Sequence, residues 1–417
     1  MNIIYFKTAI ETMKIPTNIK KRDSYIKRII PFMRKPIIKV LTGQRRVGKS
    51  FILFQLIEEI RAEEPDAHIV YINKEDMEFD YMQNAKELYE YVQQRNNPDK
   101  RNYIFIDEIQ DIDEFEKALR SLLLDENNDI YITGSNAKML SGELATYLSG
   151  RYIEFNIYSL SYIEFLQFHG LPDAENSYAM FSRFGGLPYL IHLELKDSVV
   201  FEYLQSIYST IVFRDVVARY GIRNTHFLER FIMFLADNIG NLFSAKKISD
   251  YLKSQNTNIA PNQILTYADY LANAFLIHKV GRYDIAGKKI FEIGDKYYFE
   301  NMGIRNAVTG YKFQDRGKIL ENIVFNHLLF CDYKIKVGVL GENKVDFVCE
   351  KDNEKVYVQV ALRMDNSTTI EREFGNLLKI QDKYPKIVVT SDNFEGNTYE
   401  GIVHMNIRSF LTRTSFL

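Results

Sequence analysis

One stretch limits the fold of this 417-residue chain more than any other, Leu41–Phe51, which reads LTGQRRVGKSF. It fits G-x-x-x-x-G-K-S/T through Gly43, Gly48, Lys49 and Ser50. An apolar strand pattern, Ile37–Leu41, precedes it, and an amphipathic helical pattern, Lys49–Ile60, follows. Glycines let backbone N–H groups wrap phosphate oxygens, and the helix N-terminus adds the positive end of its dipole. A lysine at this spacing reaches the β- and γ-phosphates, and the serine supplies an oxygen to Mg²⁺. Gly43, Gln44, Arg45, Arg46, Val47, Gly48, Lys49, Ser50 and Phe51 are therefore the expected nucleotide-binding residues. Arg45 and Arg46 at the loop tip have two readings. They touch phosphates or acidic neighbours, or they stand in solvent.

Around this loop, strand-length apolar runs alternate with helical patterns from residue 37 to 160, which predicts a parallel sheet wrapped in helices. The expected strands are Ile37–Leu41, His68–Ile72, Tyr103–Ile106, Ile130–Thr133 and Tyr152–Ile157, with a second helix over Phe115–Leu124. The third strand, Tyr-Ile-Phe-Ile, ends in Asp107 and Glu108, the form of a Walker B element. A buried strand delivers Asp107 to its carboxyl edge beside the loop, where it holds a magnesium-bound water. Glu108 then orients and deprotonates the attacking water. The alternative is a solvated acidic turn. The next strand ends in Thr133-Gly134-Ser135-Asn136. Either Ser135 or Asn136 would face the γ-phosphate and report its presence, and Asn136 stands among the catalytic candidates. A turn with a helix cap is the other reading. Arg151, in Leu-Ser-Gly-Arg before the last strand, is an expected arginine finger toward a neighbouring subunit, or a surface ion pair.

A chain this long is expected to divide into two or three domains. Its formal charge of −2 gives no overall sign of nucleic acid, so any such contact needs a local basic patch. Two cysteines, Cys331 and Cys349, cannot build a cysteine-based zinc site. The N-terminal residues lack the apolar core of a secretory signal, and no run approaches the roughly 18–20 apolar residues of a membrane span. A cytoplasmic protein without membrane contact is the expectation.

Beyond residue 160 the pattern turns helical to about 225, broken by Phe184–Leu190 (FGGLPYL). Three helices follow, Leu228–Ile239, Ala245–Lys253 and Asn262–Phe275, with Ser244 as an N-cap and Pro261 near a helix start. The segment IHKVGRYDIAGKKIFEI then reads as a hairpin with a Gly-Lys-Lys tip, which completes a winged-helix plan. The exposed side of its third helix offers Asn262, Gln263, Thr266 and Asp269 without Lys or Arg, and cations dominate DNA affinity. Only Lys246, Lys247, Lys288 and Lys289 flank it, so structural or protein-docking use outweighs DNA contact.

The last hundred residues run helix, strand, strand, strand, helix (Ile370–Lys383), strand (Lys386–Thr390), an order that resembles restriction-endonuclease-like PD-(D/E)XK cores. Glu321 and Asp346 stand at acidic positions of that plan, but Gln359 and Ala361 occupy the places of its second acid and its lysine. The nuclease dyad is broken. Asp346, among apolar neighbours, is expected to pair with a Lys or Arg, with a surviving metal site as the alternative. Arg363 and Lys379 are candidates for a displaced lysine.

The motifs together resemble the AAA-type ATPases of bacteria and archaea that carry G-x-R-R-x-G-K-S/T, a D-E-I-Q Walker B and T-G-S-x-A. These are matched here by Gly43–Ser50, Asp107–Gln110 and Thr133–Ala137. FGGLPYL, Ser209–Asn224, Tyr267–Val280 and Asp295–Val308 also look like the uncharacterised C-terminal domain that habitually follows such a module. The resemblance implies ATP binding with Mg²⁺ and ATP hydrolysis. The expected fold class is α/β, a P-loop NTPase sheet followed by a helical and winged-helix part and a PD-(D/E)XK-like domain. The expected domains are 1–160 (AAA-type ATPase), 161–225 (helical connector), 226–310 (winged-helix-like) and 311–417 (nuclease-like, degenerate). The expected role is an ATP-driven switch or remodelling of a DNA or protein partner through the C-terminal half, with a homo-oligomer left open. An ATP-gated nuclease and a non-catalytic nucleotide-dependent binding module are the alternatives.

Overall fold

The computed structural model describes residues 16–137, 148–285, 287, 294–364, 367–392 and 398–416. The chain forms two compact units, Met1–Ile157 and Tyr158–Leu417.

In the first unit, β1 (Ile38–Thr42), β2 (His68–Asn73), β3 (Asn102–Asp107), β4 (Asn128–Gly134) and β5 (Tyr152–Asn156) form a parallel sheet among the described residues. Their order is β2-β3-β4-β1-β5. The helices are α1 (Asp23–Ile29), α2 (Lys49–Glu63), α3 (Ala85–Gln93) and α4 (Phe115–Leu122). The expected strands and helices are found with small shifts at their ends. One neighbour relation is not legible in the sequence. β4 lies between the loop strand β1 and the acidic strand β3, so Thr133 stands between the phosphate loop and Asp107.

The two-residue side-chain period of strands divides this sheet into two chemistries. Ile38, Val40, Val70, Ile72, Ile104, Ile106, Ile130 and Ile132 join Leu88 and Val92 of α3 and Leu119 and Leu122 of α4 in one apolar core. The alternate positions carry Lys39, Tyr103, Asp107, Asp129, Tyr131 and Thr133, all buried. Lys39 and Asp129 form a fully buried ion pair. Asp129 Oδ2 also accepts from the Tyr131 hydroxyl (2.8 Å) and the Arg34 backbone N–H (2.8 Å). Burial pulls the Lys39 pKa down, and the charge of Asp129 opposes this. Removing one member of such a pair strands the other charge, at a cost of at least about 3 kcal/mol. Asp129→Ala is therefore expected to lower the melting temperature of this unit by roughly 6–12 °C. A calorimetric melt of the two chains checks this; a shift below a degree or two would mean that the pair contributes nothing.

The second unit begins with α5 (Tyr162–His169), α6 (Glu175–Phe184) and α7 (Asp197–Thr210), the last continued by a π-helical stretch, Ile211–Ala218. The Gly-Gly expected as a turn between them is a close-packing joint. A Cβ on Gly185, at φ +71°, would stand 2.4 Å from Asn301 Oδ1, and one on Gly186 would stand 2.3 Å from the Leu160 carbonyl oxygen. Next come α8 (Thr225–Asp237), α9 (Ala245–Ser254) and α10 (Pro261–Asn273). The Ser244 hydroxyl caps α9 by accepting from the Lys247 N–H, and Pro261 opens α10. Asn262, Gln263, Thr266 and Asp269 are exposed on α10.

The hairpin expected next is paired differently. β6 (Ile277–Val280) runs antiparallel to β8 (Lys296–Phe299). β7 (Arg282–Asp284) leaves that pair at Gly281 and joins the C-terminal sheet beside β9, so its backbone groups are satisfied on that sheet's edge. Lys288 and Lys289 of the expected tip lie outside the described residues. After α11 (Met302–Thr309) and α12 (Arg316–Phe330) come β9 (Lys334–Leu340), β10 (Asn343–Lys351), β11 (Glu354–Val360), α13 (Ser367–Leu378), β12 (Lys386–Thr390), β13 (Thr398–Tyr399), β14 (Ile402–Asn406) and α14 (Ile407–Leu411). Among the described residues the sheet order is β13-β14-β12-β11-β10-β9-β7. α13 starts and stops earlier than Ile370–Lys383, and β13, β14 and α14 lie outside the expected order. β14 is hard to read because IVHMN places His404 and Asn406 inside a short strand. Cys331 and Cys349 are both buried thiols. No helix of the described residues is long and apolar enough to cross a membrane.

Candidate functional site

The phosphate loop leaves β1 at Gly43, whose φ is +150° and whose Cβ, if present, would stand 2.1 Å from the Ile157 carbonyl oxygen. Gly48, at φ +95°, is the N-cap of α2. The first turn of this 15-residue helix contains no acid, and its N-cap has no side chain to cap it. Its leading N–H groups thus suit an anion. Gln44, Arg45 and Val47 are buried, Arg46 is exposed at φ +71°, and Phe51 is half-exposed. Arg45 Nη1 stands 3.0 Å from Glu75 Oε1, so an acidic neighbour holds at least one of the two loop arginines.

Lys49 Nζ donates to the carbonyls of Gly43 (3.0 Å) and Gln44 (3.1 Å) and stands 3.6 Å from Glu108 Oε1. Asp107, at the carboxyl end of β3, accepts from the hydroxyls of Thr133, Ser50 and Tyr71, the last at 3.3 Å. Burial raises the Asp107 pKa, and the Ser50 and Thr133 hydroxyls only partly offset this. A hydroxyl and a carboxylate in contact are the hard oxygen donors that Mg²⁺ takes. Glu108 adopts the left-handed backbone (φ +55°), and its N–H donates to Thr133 Oγ1 at 2.9 Å. Its Oε2 accepts from Ser135 Oγ (3.0 Å) and Gln110 Nε2 (2.5 Å). Burial alone would raise the Glu108 pKa, but the charges of Lys49 and Arg45, with the hydrogen bonds from Gln110 and Ser135, outweigh it and hold the carboxyl below its ordinary value.

Of the two residues considered as γ-phosphate reporters, Ser135 touches Glu108 directly, and Asn136 is buried next to it in sequence. Thr133 is a site residue that the sequence reading does not single out. It grips the Asp107 side chain and the Glu108 backbone at once, and a hydroxyl at the end of the strand next to the acidic one is the available signal. Gln110 is the last residue of the D-E-I-Q match, whereas Tyr71, inside β2, and Glu75, just beyond it, carry no signal because only strand pairing brings them to the cluster. Arg151 is not part of the cluster. It precedes β5, whose Tyr152 pairs with Ile38 at the start of β1, and the phosphate loop follows the far end of β1. Four residues of strand, roughly 13 Å at 3.3 Å each, separate those two edges. Arg151 is exposed there and cannot serve its own loop.

In the second unit Asp346 finds its cation in Lys296 of β8, at 3.4 Å, with Glu321 of α12 on the same ammonium at 2.9 Å. This is the pairing with a nearby Lys or Arg expected for a buried carboxylate; Arg363 and Lys379, considered as replacements for the lost lysine, take no part in it. Arg363 is exposed, and Lys379 donates to Asn343 Oδ1. The lysine comes from a strand some fifty residues upstream, beyond what local spacing reports. Burial favours the neutral form of Lys296, yet Asp346 and Glu321 together raise its pKa. Gln359 accepts from the Asp346 N–H (3.2 Å) and donates to Glu373 (2.7 Å). An ammonium between the two carboxylates and an amide against Asp346 do not suit a divalent cation. Among the described residues no group of three His, Cys, Asp or Glu is placed to hold one.

Burial and the nearby Asp346 push Glu321 up to about 7. Between its ordinary 4.5 and that value the folded chain holds a proton that the unfolded chain has lost. Stability is therefore expected to fall as pH rises through this window, and Glu321→Gln to flatten the dependence. Denaturant midpoints at pH 5 and pH 8 check this, and an equal slope in both chains would contradict it.

Residues 35–166 match the AAA domain, and residues 176–315 match a domain of unknown function, DUF8612. An uncharacterised protein of Haemophilus influenzae is 37% identical over 389 residues, 91% of this chain and 96% of its own length. An uncharacterised protein of Methanocaldococcus jannaschii is 31% identical over 431 residues, 97% of this chain and 93% of its own. Among solved structures, the Aeropyrum pernix Orc1 protein in complex with DNA matches at TM-score 0.33 and 12% identity, over 74% of this chain and 97% of that one. AMPPCP-bound DnaA from Aquifex aeolicus matches at TM-score 0.30 and 14% identity, over 65% and 93%. Likeness at these scores adds nothing to the chemistry of the site. The end-to-end identity to the Haemophilus and Methanocaldococcus proteins places the chain in their family, whose member here carries an AAA domain built on a parallel P-loop sheet.

Proposed function

We propose that this chain binds ATP with Mg²⁺ at Gly43–Phe51 and hydrolyses it, and that the cycle switches how residues 158–417 engage a DNA or protein partner. The observation that carries the reading is the placing of Glu108: its buried carboxylate stands 3.6 Å from the Lys49 ammonium and is held by Ser135, beside the Ser50–Asp107 contact. A buried carboxylate held ionised beside a phosphate loop is poised to accept a proton.

The backbone N–H groups of the loop and the first turn of α2 bind the phosphates. Lys49 exchanges the Gly43 and Gln44 carbonyls for β- and γ-phosphate oxygens. Ser50 and Asp107 would hold Mg²⁺, which neutralises charge on the phosphates when bound. Glu108 orients a water and takes its proton. Ser135 keeps that carboxylate in place, and Asn136 reports the γ-phosphate. Arg45, released from Glu75, adds positive charge at the loop tip.

Calorimetry of ATP against the full chain with Mg²⁺, followed by steady-state phosphate release, tests the proposal. Binding with Mg²⁺-dependent release is expected. No association on folded, magnesium-supplied protein overturns the site, and binding without turnover leaves a nucleotide-dependent binding module.

Arg151 enters only through a second copy of the chain, since its edge of the sheet lies away from its own loop. Arg151→Ala is expected to lower turnover at least about tenfold. Adding the Glu108→Gln chain, itself inactive but with Arg151 intact, should restore part of it. No restoration across a range of mixing ratios would remove Arg151 from the mechanism.

A further inference from the structure

β11, β12 and β14 run parallel, so their carboxyl ends share one edge of the C-terminal sheet. The chain leaves that edge at Leu362–Arg363, Ser391–Asp392 and Asn406–Arg408. With the starts of α6 and α12 these exits line an open cleft of about 460 Å³. Ligands of open α/β sheets bind outside such carboxyl ends, and the volume lies within the range of small-molecule sites.

The charges in the cleft are unequal in freedom. Arg408 Nη1 is tied to Asp173 at 3.2 Å, and Asp392 Oδ2 accepts from the Met364 N–H at 2.8 Å. Among the described residues neither Arg316 nor Arg363 has a carboxylate partner. Arg316 lies with its guanidinium 4.9 Å from the centre of the Phe313 ring, and Phe313 is 78% exposed. A guanidinium stacked on an exposed ring stiffens both groups and leaves the rest of the ring open to the cleft.

We propose that this cleft binds a nucleotide unit, its phosphate held by Arg316 and Arg363 and its base stacked at Phe313. A guanidinium fork meets two phosphate oxygens at once, and an exposed ring accepts any base by its face. Glu175 and Asp392 interrupt the positive charge, so the row of cations that a duplex backbone requires is missing. Two such arginines serve one or two phosphates. The ligand is therefore a free nucleotide or the unpaired end of a nucleic-acid strand, two sources of the same chemistry. This rests on the reading of residues 158–417 as the partner-binding part and is independent of the phosphate loop.

The probes are fluorescein-labelled oligothymidylate, followed by anisotropy, and thymidine 5′-monophosphate, followed by calorimetry. Both are measured on the full wild-type chain and on the Lys49→Ala chain, because binding that survives Lys49→Ala does not use the loop. Arg316→Ala with Arg363→Ala is expected to weaken binding at least about tenfold and to lower the salt slope by about 0.7 for each phosphate no longer neutralised. Phe313→Ala, at an exposed position that leaves the fold intact, is expected to weaken it about fivefold to a hundredfold. Oligothymidylate bound with these sensitivities and the monophosphate not bound assigns a strand end; both bound assigns a free nucleotide. Binding of neither probe overturns the proposal, as does binding that all three substitutions leave unchanged, which would move the partner site elsewhere in the unit.

Discussion

Replacing Glu108 with glutamine is expected to cut steady-state ATP turnover by about 10²- to 10⁴-fold while ATP binding persists. The two side chains have nearly the same shape. The backbone that carries residue 108 is fixed by the N–H donated to Thr133 Oγ1, and an amide oxygen can still accept from Ser135 Oγ. What disappears is the proton acceptor. ATP affinity should hold or rise, because Lys49 no longer faces a carboxylate 3.6 Å away and one negative charge leaves the neighbourhood of the triphosphate. The pH profile gives an independent check. Lys49 and Arg45, with the Gln110 and Ser135 hydrogen bonds, overcome burial to hold Glu108 below its ordinary value of 4.5. A base with a depressed pKa stays ionised as pH falls, so the acidic limb of wild-type turnover should lie below the usual glutamate range. Phosphate release and calorimetry on the same preparation check both statements. Normal turnover by Glu108→Gln removes the residue from the role of base.

Lys49→Ala is expected to abolish measurable ATP binding, a loss of at least about 10²-fold. Charged hydrogen bonds contribute roughly 1.5–3 kcal/mol each, and this ammonium serves two phosphates. The single variant carries a second effect. Glu108 is buried and leans on Lys49, so deleting the lysine strands a carboxylate in a dry site, a loss of the order of 3 kcal/mol where no other cation compensates. Weak binding by Lys49→Ala could then report a damaged fold. The double variant Lys49→Ala with Glu108→Gln separates the two, because it removes both charges. It should recover the melting temperature lost by the single variant and still fail to bind ATP. If the double variant binds as the wild type does, the triphosphate is not held at this loop.

Local structure is legible where a run of neighbouring residues carries the whole signal. The five strands of the first unit are apolar runs, α2 follows its glycine, and Asp107 and Glu108 stand at the end of a buried strand. What the site does with them is less legible. The charge state of Glu108 depends on Lys49 and Arg45, which meet it only because β4 inserts between β1 and β3 and brings all three carboxyl edges level. Arg151 resembles a catalytic arginine by its place before a strand. Parallel register puts that place at the opposite edge from the loop.

Residue order along the chain determined the phosphate loop, its flanking strand and helix, and the acidic strand, because their spacings are short and the backbone enforces them directly. It also carried the expectation of a broken nuclease dyad, since Gln359 and Ala361 are wrong in kind for the second acid and the lysine of such a plan. Only the tertiary structure decided that Lys296 neutralises Asp346 and Glu321, that β7 leaves its hairpin for the C-terminal sheet, and that Arg316 and Arg363 share a cleft with Phe313. The physical reason is common to all three. Ion pairs, sheet edges and clefts join residues far apart in sequence, and their partners are chosen by which strands finish side by side, a relation that no local pattern of side chains encodes.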